Sequence, residues 1–230
     1  MNVTQVMQQL NRFIDEADTT YVTDADRATW LELGYNELRE RVVGVAPEIY
    51  MKNATLNLNN SPEYDLANPP AGDATLLGPN ATERLYRVYR LAIQNDDNTI
   101  QRYLPPYADP KIFSNMRFAY SNGWTMVGSK LLISSPVTGK LRMEYVPFST
   151  VDWTKFAPAD NEFIDDLSQF HSIIPLLAAQ YYQVADGASN AVLDRQLQQR
   201  LGQLDQYITQ ARTPEAAHYV EDRMTDWYNY

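Results

Sequence analysis

The sequence predicts an α+β fold in which a helical bundle, built from N-terminal helices and a C-terminal helical hairpin, carries an inserted antiparallel β-rich domain. Three observations predict it. Apolar residues recur at three- and four-residue steps toward both ends of the chain, the spacing that lines one face of a helix. Between residues 50 and 148 the period falls to two and proline, glycine and asparagine become frequent, as in strands joined by turns. Asp186-Gly187-Ala188-Ser189-Asn190 then separates two helical stretches, with a glycine suited to a left-handed helix stop and Ser and Asn suited to capping the second helix. On this reading residues 1–48 are N-terminal helices, 49–157 the β-rich insert, 158–212 the hairpin and 213–230 a C-terminal tail.

Taken in order, Val3, Val6, Met7, Leu10 and Ile14 predict an amphipathic helix over residues 3–17, ended at Asp18-Thr19-Thr20. Thr23-Asp24-Ala25-Asp26 has the form of a capping box, with Asp in place of Glu or Gln, ahead of a Leu31, Tyr35, Leu38, Val42 stripe. Gly44 and Pro47 are expected to stop that helix. In the insert, residues 84–93 alternate Leu85, Arg87, Tyr89, Leu91 and Ile93 with Tyr86, Val88, Arg90 and Ala92. Both faces of such a strand are substantially apolar or aromatic, so it calls for a partner layer. Residues 54–58, 124–127, 131–134 and 141–146 are shorter strands, the second and third joined across Gly128-Ser129 and the last two by a turn holding Pro136 and Gly139. An antiparallel meander is the expectation. The connections over 59–83 and 104–115 have lengths at which loops carry interactions.

The hairpin is the strongest signal. Phe163, Leu167, Phe170, Ile174, Leu177, Tyr181 and Val184 form one stripe, and Leu193, Leu197, Leu201, Leu204, Ile208 and Ala211 form the other. Pro175 interrupts the first: inside a helix it removes a backbone donor and clashes with the preceding turn, so the helix kinks there or starts later than its stripe. Thr213-Pro214-Glu215 then opens a short helix in the N1-proline pattern.

Composition limits the chemistry. The chain has no cysteine and two distant histidines, His171 and His218, which disfavours disulfides, thiolate sites and histidine zinc sites. No run of about 18 apolar residues occurs, and the opening MNVTQVMQQLNRF lacks the basic start and apolar core of a signal peptide, so no membrane partner and synthesis in a cytoplasm are expected. A net charge of −10 with scattered Lys and Arg disfavours a nucleic-acid-binding surface, while remaining compatible with a wall past which DNA moves without sticking.

No catalytic set emerges, and neither a catalytic, a cofactor nor a metal site is assigned. Asp165-Asp166 is read as acids in a first helical turn, where the dipole favours them. Asn95-Asp96-Asp97-Asn98 lacks the glycine and closing glutamate of a calcium loop and is read as a polar hairpin tip. His171 is read as a boundary histidine bonded to backbone. Arg84, Arg87 and Arg90 alternate faces and are read as an ordinary charged sheet face rather than a phosphate row. No glycine-rich phosphate loop, GxSxG elbow or HExxH pair is present. What exceeds background is aromatic content, 16 Tyr, 7 Phe and 4 Trp, because rings with a polar tip are typical interface anchors. Tyr219, Trp227, Tyr228 and Tyr230 in the terminal HYVEDRMTDWYNY are the candidate partner-interface residues.

The order of these pieces resembles the bacteriophage head-to-tail adaptor proteins, also called head completion or tail-tube adaptor proteins. The resemblance runs through the short first helix, the Thr23-Asp24-Ala25-Asp26 start with Trp30, Leu31, Asn36 and Glu37, the β insert, LRMEYVPFSTVDW, and FHSIIPLLAAQYYQVADGASNAVLDRQLQQRLGQL. The insert is larger than in the smallest family members. The resemblance implies a structural virion protein without enzymatic activity: a homo-oligomeric ring, of twelve subunits in the family, at the head-tail interface. Such a ring binds the portal protein, extends a channel through which DNA passes without specific binding, and gives a downstream tail or nozzle protein its platform. Two other classes stand beside it, a β-sandwich module recognising carbohydrate with the 104–115 loop and tyrosine-rich strands, and a carboxylate-based hydrolase with two acids in one cleft.

Overall fold

Helices and strands of the computed structural model change over where the apolar period does. It describes residues 1–14, 21–71, 73, 75–78, 81, 83–95, 97–106, 123–134, 138–157, 160, 162–187 and 189–211. These divide into two units, residues 1–49 with 151–211, and residues 50–150.

In the helical unit, α1 (Val3–Ile14) buries Val3, Val6, Met7, Leu10 and Ile14, its expected stripe. Thr23 caps α2 (Asp24–Val45) through a complete capping box: its hydroxyl accepts from the Asp26 N–H, and the Asp26 carboxylate accepts from the Thr23 N–H at 3.0 Å. Gly44 lies inside α2 rather than ending it. The helix runs to Val45, and Pro47 begins a 3-10 turn, Pro47–Ile49.

The hairpin forms, and of the two outcomes Pro175 implied, the later start is the one observed. Its first helix, α3 (Ile173–Asp186), does not extend back to Phe163. Pro175 instead falls in its opening turn, where the missing N–H has no intrahelical acceptor to lose. Ahead of it Ser168–Phe170 make only a 3-10 turn, and Phe163 is exposed, paired by an isolated bridge to Asn2. Gly187 takes φ +69° and closes α3 through an N–H bond to the Gln183 carbonyl. Asn190 then accepts from the N–H groups of Val192 and Leu193, capping α4 (Ala191–Ala211). Leu193, Leu197, Leu201, Leu204 and Ile208 are all buried.

Helices α1, α2 and α4 all pack on α3, whose residues Ile173 to Ala179 are buried without exception. At Gly34 α2 comes close to the α3 backbone, where a Cβ would meet the Ile174 carbonyl at 2.8 Å. Only glycine admits so tight a crossing. Residues 151–157, placed with the insert on sequence, fall with the helices instead: Trp153 is buried with its ring 5.5 Å from that of Tyr35.

The β unit is not a single meander. One sheet runs β1-β7-β3-β4, made of β1 (Lys52–Asn59), β7 (Thr138–Pro147), β3 (Leu85–Gln94) and β4 (Ile100–Leu104). The other runs β2-β6-β5, made of β2 (Glu63–Asp65), β6 (Lys130–Ile133) and β5 (Trp124–Val127). The pairings between these strands are antiparallel. β5 and β6 form the expected hairpin over Gly128, at φ +59°. β6 and β7, expected to pair, belong to different sheets. Leu56, Leu91, Leu141 and Met143 from the first sheet and Tyr64, Leu131, Ile133 and Trp124 from the second form one apolar core. Glu144 is the charged exception, held by Arg90 at 3.3 Å and Arg142 at 3.2 Å.

Candidate functional site

The main concentration of polar chemistry in the helical unit gathers around Asp165. One carboxylate oxygen lies 2.6 Å from His171 Nε2 and accepts the Leu167 N–H at 2.8 Å; the other accepts the Tyr35 hydroxyl at 3.0 Å. His171 Nδ1 sits 3.1 Å from the Met1 carbonyl and 3.3 Å from its amine nitrogen. This corrects two sequence assignments. Asp165 is not a first-turn acid of a long helix: it stands in the turn ahead of Ser168–Phe170 and organises four segments of chain. His171 is not at a boundary but fully enclosed, with 0% of its surface exposed.

A tyrosine, a carboxylate and an imidazole in hydrogen-bonded sequence have the parts of an acid-base relay, but a relay needs substrate within reach of the base. The enclosed imidazole spends one nitrogen on Asp165 and faces Met1 with the other. The arrangement therefore fixes α1 and the start of α3 to α2, a latch of charge-assisted hydrogen bonds. Thr4 adds to it, its hydroxyl donating toward the carbonyls of Ala157 and Asp160. Asp166 is exposed and outside the cluster. Nothing in the sequence spacing signalled this group, because a six-residue separation of Asp165 and His171 matches no helical face.

The other sequence candidates are not brought together. Asn95 and Asn98 close the β3-β4 turn, Asn98 at φ +63°, and Asp97 is held below the usual carboxylate range by the hydroxyl and then the N–H of Thr99. That is a turn carboxylate, as expected of a polar hairpin tip. Arg90 pairs with Glu144, Arg84 lies over the Phe148 ring and Arg87 over the Tyr89 ring, so the three guanidiniums make no shared anion site. Among the described residues no group of three or more His, Cys, Asp or Glu is placed to hold a metal. None of the described helices is long and apolar enough to cross a membrane. Tyr219, Trp227, Tyr228, Tyr230 and His218 lie outside the described residues, as does most of the 104–115 loop.

Three surface recesses stand out among the described residues. In the β unit, a recess of about 400 Å³ is lined by Leu85, Tyr86, Val88, Trp124 and Met126. Its Trp124 is buried, with the indole N–H given to the Leu104 carbonyl at 3.0 Å, which leaves Tyr86 as the exposed ring. At the hairpin end of the helical unit a recess of about 540 Å³ includes Tyr21, Trp30, Tyr182, Asp26 and Asp186. Two acids share it, but Asp26 is held below the usual carboxylate range by the Thr23 hydroxyl and then the Thr23 N–H. That is the opposite of the raised value a general acid needs. Tyr21, 86% exposed, and Val184, 83% exposed, mark this end as unusually apolar. The third recess is a groove of about 530 Å³ between α1 and α4, and its charged lining is cationic. The chain matches no protein-family model and no curated protein sequence.

Proposed function

We propose that the protein is a head-to-tail adaptor of a tailed bacteriophage, a structural ring subunit that binds the portal, extends the DNA channel and offers a platform to a downstream tail or nozzle protein. The observation that carries this reading is the order of elements: two N-terminal helices, a β unit, then a capped antiparallel hairpin whose first helix is enclosed by the other three. That order is the one the adaptor resemblance calls for. Exposed apolar side chains on the helical unit, Tyr21, Leu33, Val184 and Val192 among them, are the material from which subunit contacts are made. The acidic balance of the chain suits a conduit for DNA.

In this role Tyr219, Trp227, Tyr228 and Tyr230 anchor the subunit on the portal, since aromatic side chains that enter a partner's pockets dominate binding energy. Size-exclusion chromatography with light scattering, run on the chain alone and with a portal ring, tests the reading. A ring, free or on the portal, is expected; a carbohydrate-binding module or a hydrolase stays small and ignores the portal. Removal of residues 215–230 is expected to abolish co-purification with the portal while leaving the helical circular dichroism signal in place. Undiminished co-purification would refute the anchoring role.

A further inference from the structure

We propose that the cationic groove between α1 and α4 receives the outward face of α2 from a second copy of this chain, making a head-to-tail contact; the proposal rests on the ring reading and names its interface. The groove lies between α1 and α4, over the opening turn of α3. On α3 the contact with Gly34 involves Ile174, Leu177 and Ala178. At 100° per residue, Leu176 points away from that face, and it forms the groove floor with Phe13. The walls carry Arg12 on α1 and Arg200 on α4, and no carboxylate lines the groove, in a chain with 29 acids against 19 bases. Arg200 is steadied by the Gln203 side chain at 3.1 Å. Gln9, Gln196 and Gln199 complete a lining that is polar and without negative charge.

The matching surface is on α2. Opposite its buried stripe Leu31, Tyr35, Leu38 and Val42, the residues Leu33, Asn36, Glu37 and Glu40 are all exposed. They follow i, i+3, i+4, i+7, the spacing with which a helix anchors in a groove. Leu33, 42% exposed, is the apolar knob for the Phe13 and Leu176 floor. Glu40 supplies the charge that Arg12 and Arg200 lack, as does Glu37, one of whose oxygens also accepts the Tyr181 hydroxyl at 3.2 Å, and Asn36 adds an amide to the same face. Arg41, the cation nearest this face in sequence, is already committed to Asp205 by two bonds of 2.8 and 2.6 Å. The two surfaces differ in sign and point in different directions from the α2–α3 contact, so one copy's α2 face meets the next copy's groove. A contact of that heterologous type closes into a ring when its rotation permits.

Charge reversal in two complementary full-length chains tests this. Arg12→Glu with Arg200→Glu turns the groove acidic; Glu37→Arg with Glu40→Arg turns the α2 face basic. Light scattering and negative-stain microscopy, with and without a portal ring, read assembly, and thermal melting checks folding. Wild-type assembly is expected to weaken as salt is raised, and each reversed chain alone is expected to associate about tenfold more weakly or worse. An equimolar mixture of the two is expected to regain assembly, because acidic grooves then meet basic α2 faces around an alternating ring. Rings that ignore both reversals, or reversed chains that do not recover on mixing, overturn this contact and leave the ring reading standing. A wild-type chain that stays monomeric alone and on the portal overturns both.

Discussion

The helical unit and the β unit solve the same problem with opposite connectivity. In the helical unit the segments that touch are far apart in the chain: α1 is tied to residues 157–163 through Thr4, the Val3 N–H bond to Glu162 and the Asn2–Phe163 bridge, and Gly34 meets Ile174. The β unit is built from one uninterrupted stretch, Tyr50–Thr150, with β7 as the shared strand between β1 and β3. The difference teaches where polar groups are tolerated. Long-range contacts in the helical unit are pinned by a part-buried carboxylate-imidazole-tyrosine latch, whereas the β core is apolar apart from a few hydrogen-bonded residues and the Glu144 ion pairs.

Three perturbations would break or sharpen that contrast. The largest effect is expected from Leu197→Asp, which places an unpaired charge among buried residues of α4 and costs roughly 4 kcal/mol or more. Hydrogen exchange is expected to lose protection throughout α1 to α4 while β1, β3 and β7 keep theirs; simultaneous loss in both would show one cooperative unit. Next, Leu141→Ala removes a fully buried side chain at the centre of the larger sheet, worth about 2–5 kcal/mol. It is expected to lower the melting of the β unit while the helical signal persists, so calorimetry should resolve two transitions.

The smallest effect concerns the bond between α2 and α4. Asp205 is held below its usual carboxylate range chiefly by the hydrogen bond from Arg41. Its folded value is depressed, so its contribution is present above the ordinary carboxylate pKa and is lost as pH falls through the folded value. Both side chains are 44% exposed, which limits the contribution to about 1 kcal/mol or less. Chemical denaturation of Asp205→Asn and the wild type is expected to differ at pH 7 and to converge as the pH falls through the depressed folded value of Asp205; a gap that persists at the acid end would contradict this.

What could be read beforehand was whatever local chemistry decides. The Thr23 capping box, the Gly187 stop and the Asn190 cap depend on residues within three or four positions of each other, and all three formed. Strands β3, β5, β6 and β7 declared themselves by alternation or β-branched and aromatic content. β4 did not, because IQRYL exposes its first three residues and shows no two-residue period, and β2 is three residues long with Tyr64 alone buried. The division into two sheets was invisible because strand partners are chosen by long-range register. Pro175 signalled that α3 starts later than its stripe but not where, because Phe163, Leu167 and Phe170 keep helical spacing without a helix to carry it. The Asp165 latch and the α1–α4 groove depend on chain reversals that no periodicity reports.

The pairing of β1 with β7 sets a kinetic order. Lys52 lies opposite Tyr145, so the β unit begins and ends at neighbouring points. Until it folds, α2 and α3 are the ends of a loop of 127 residues, 46–172, and the logarithmic law for closing such a loop makes their meeting roughly 3 kcal/mol costlier than across a gap of a few residues. Once β1 and β7 zip together, that entropy has already been lost and the helices are delivered to each other. During synthesis the first two helices keep the surface that packs on α3 uncovered until the hairpin has emerged.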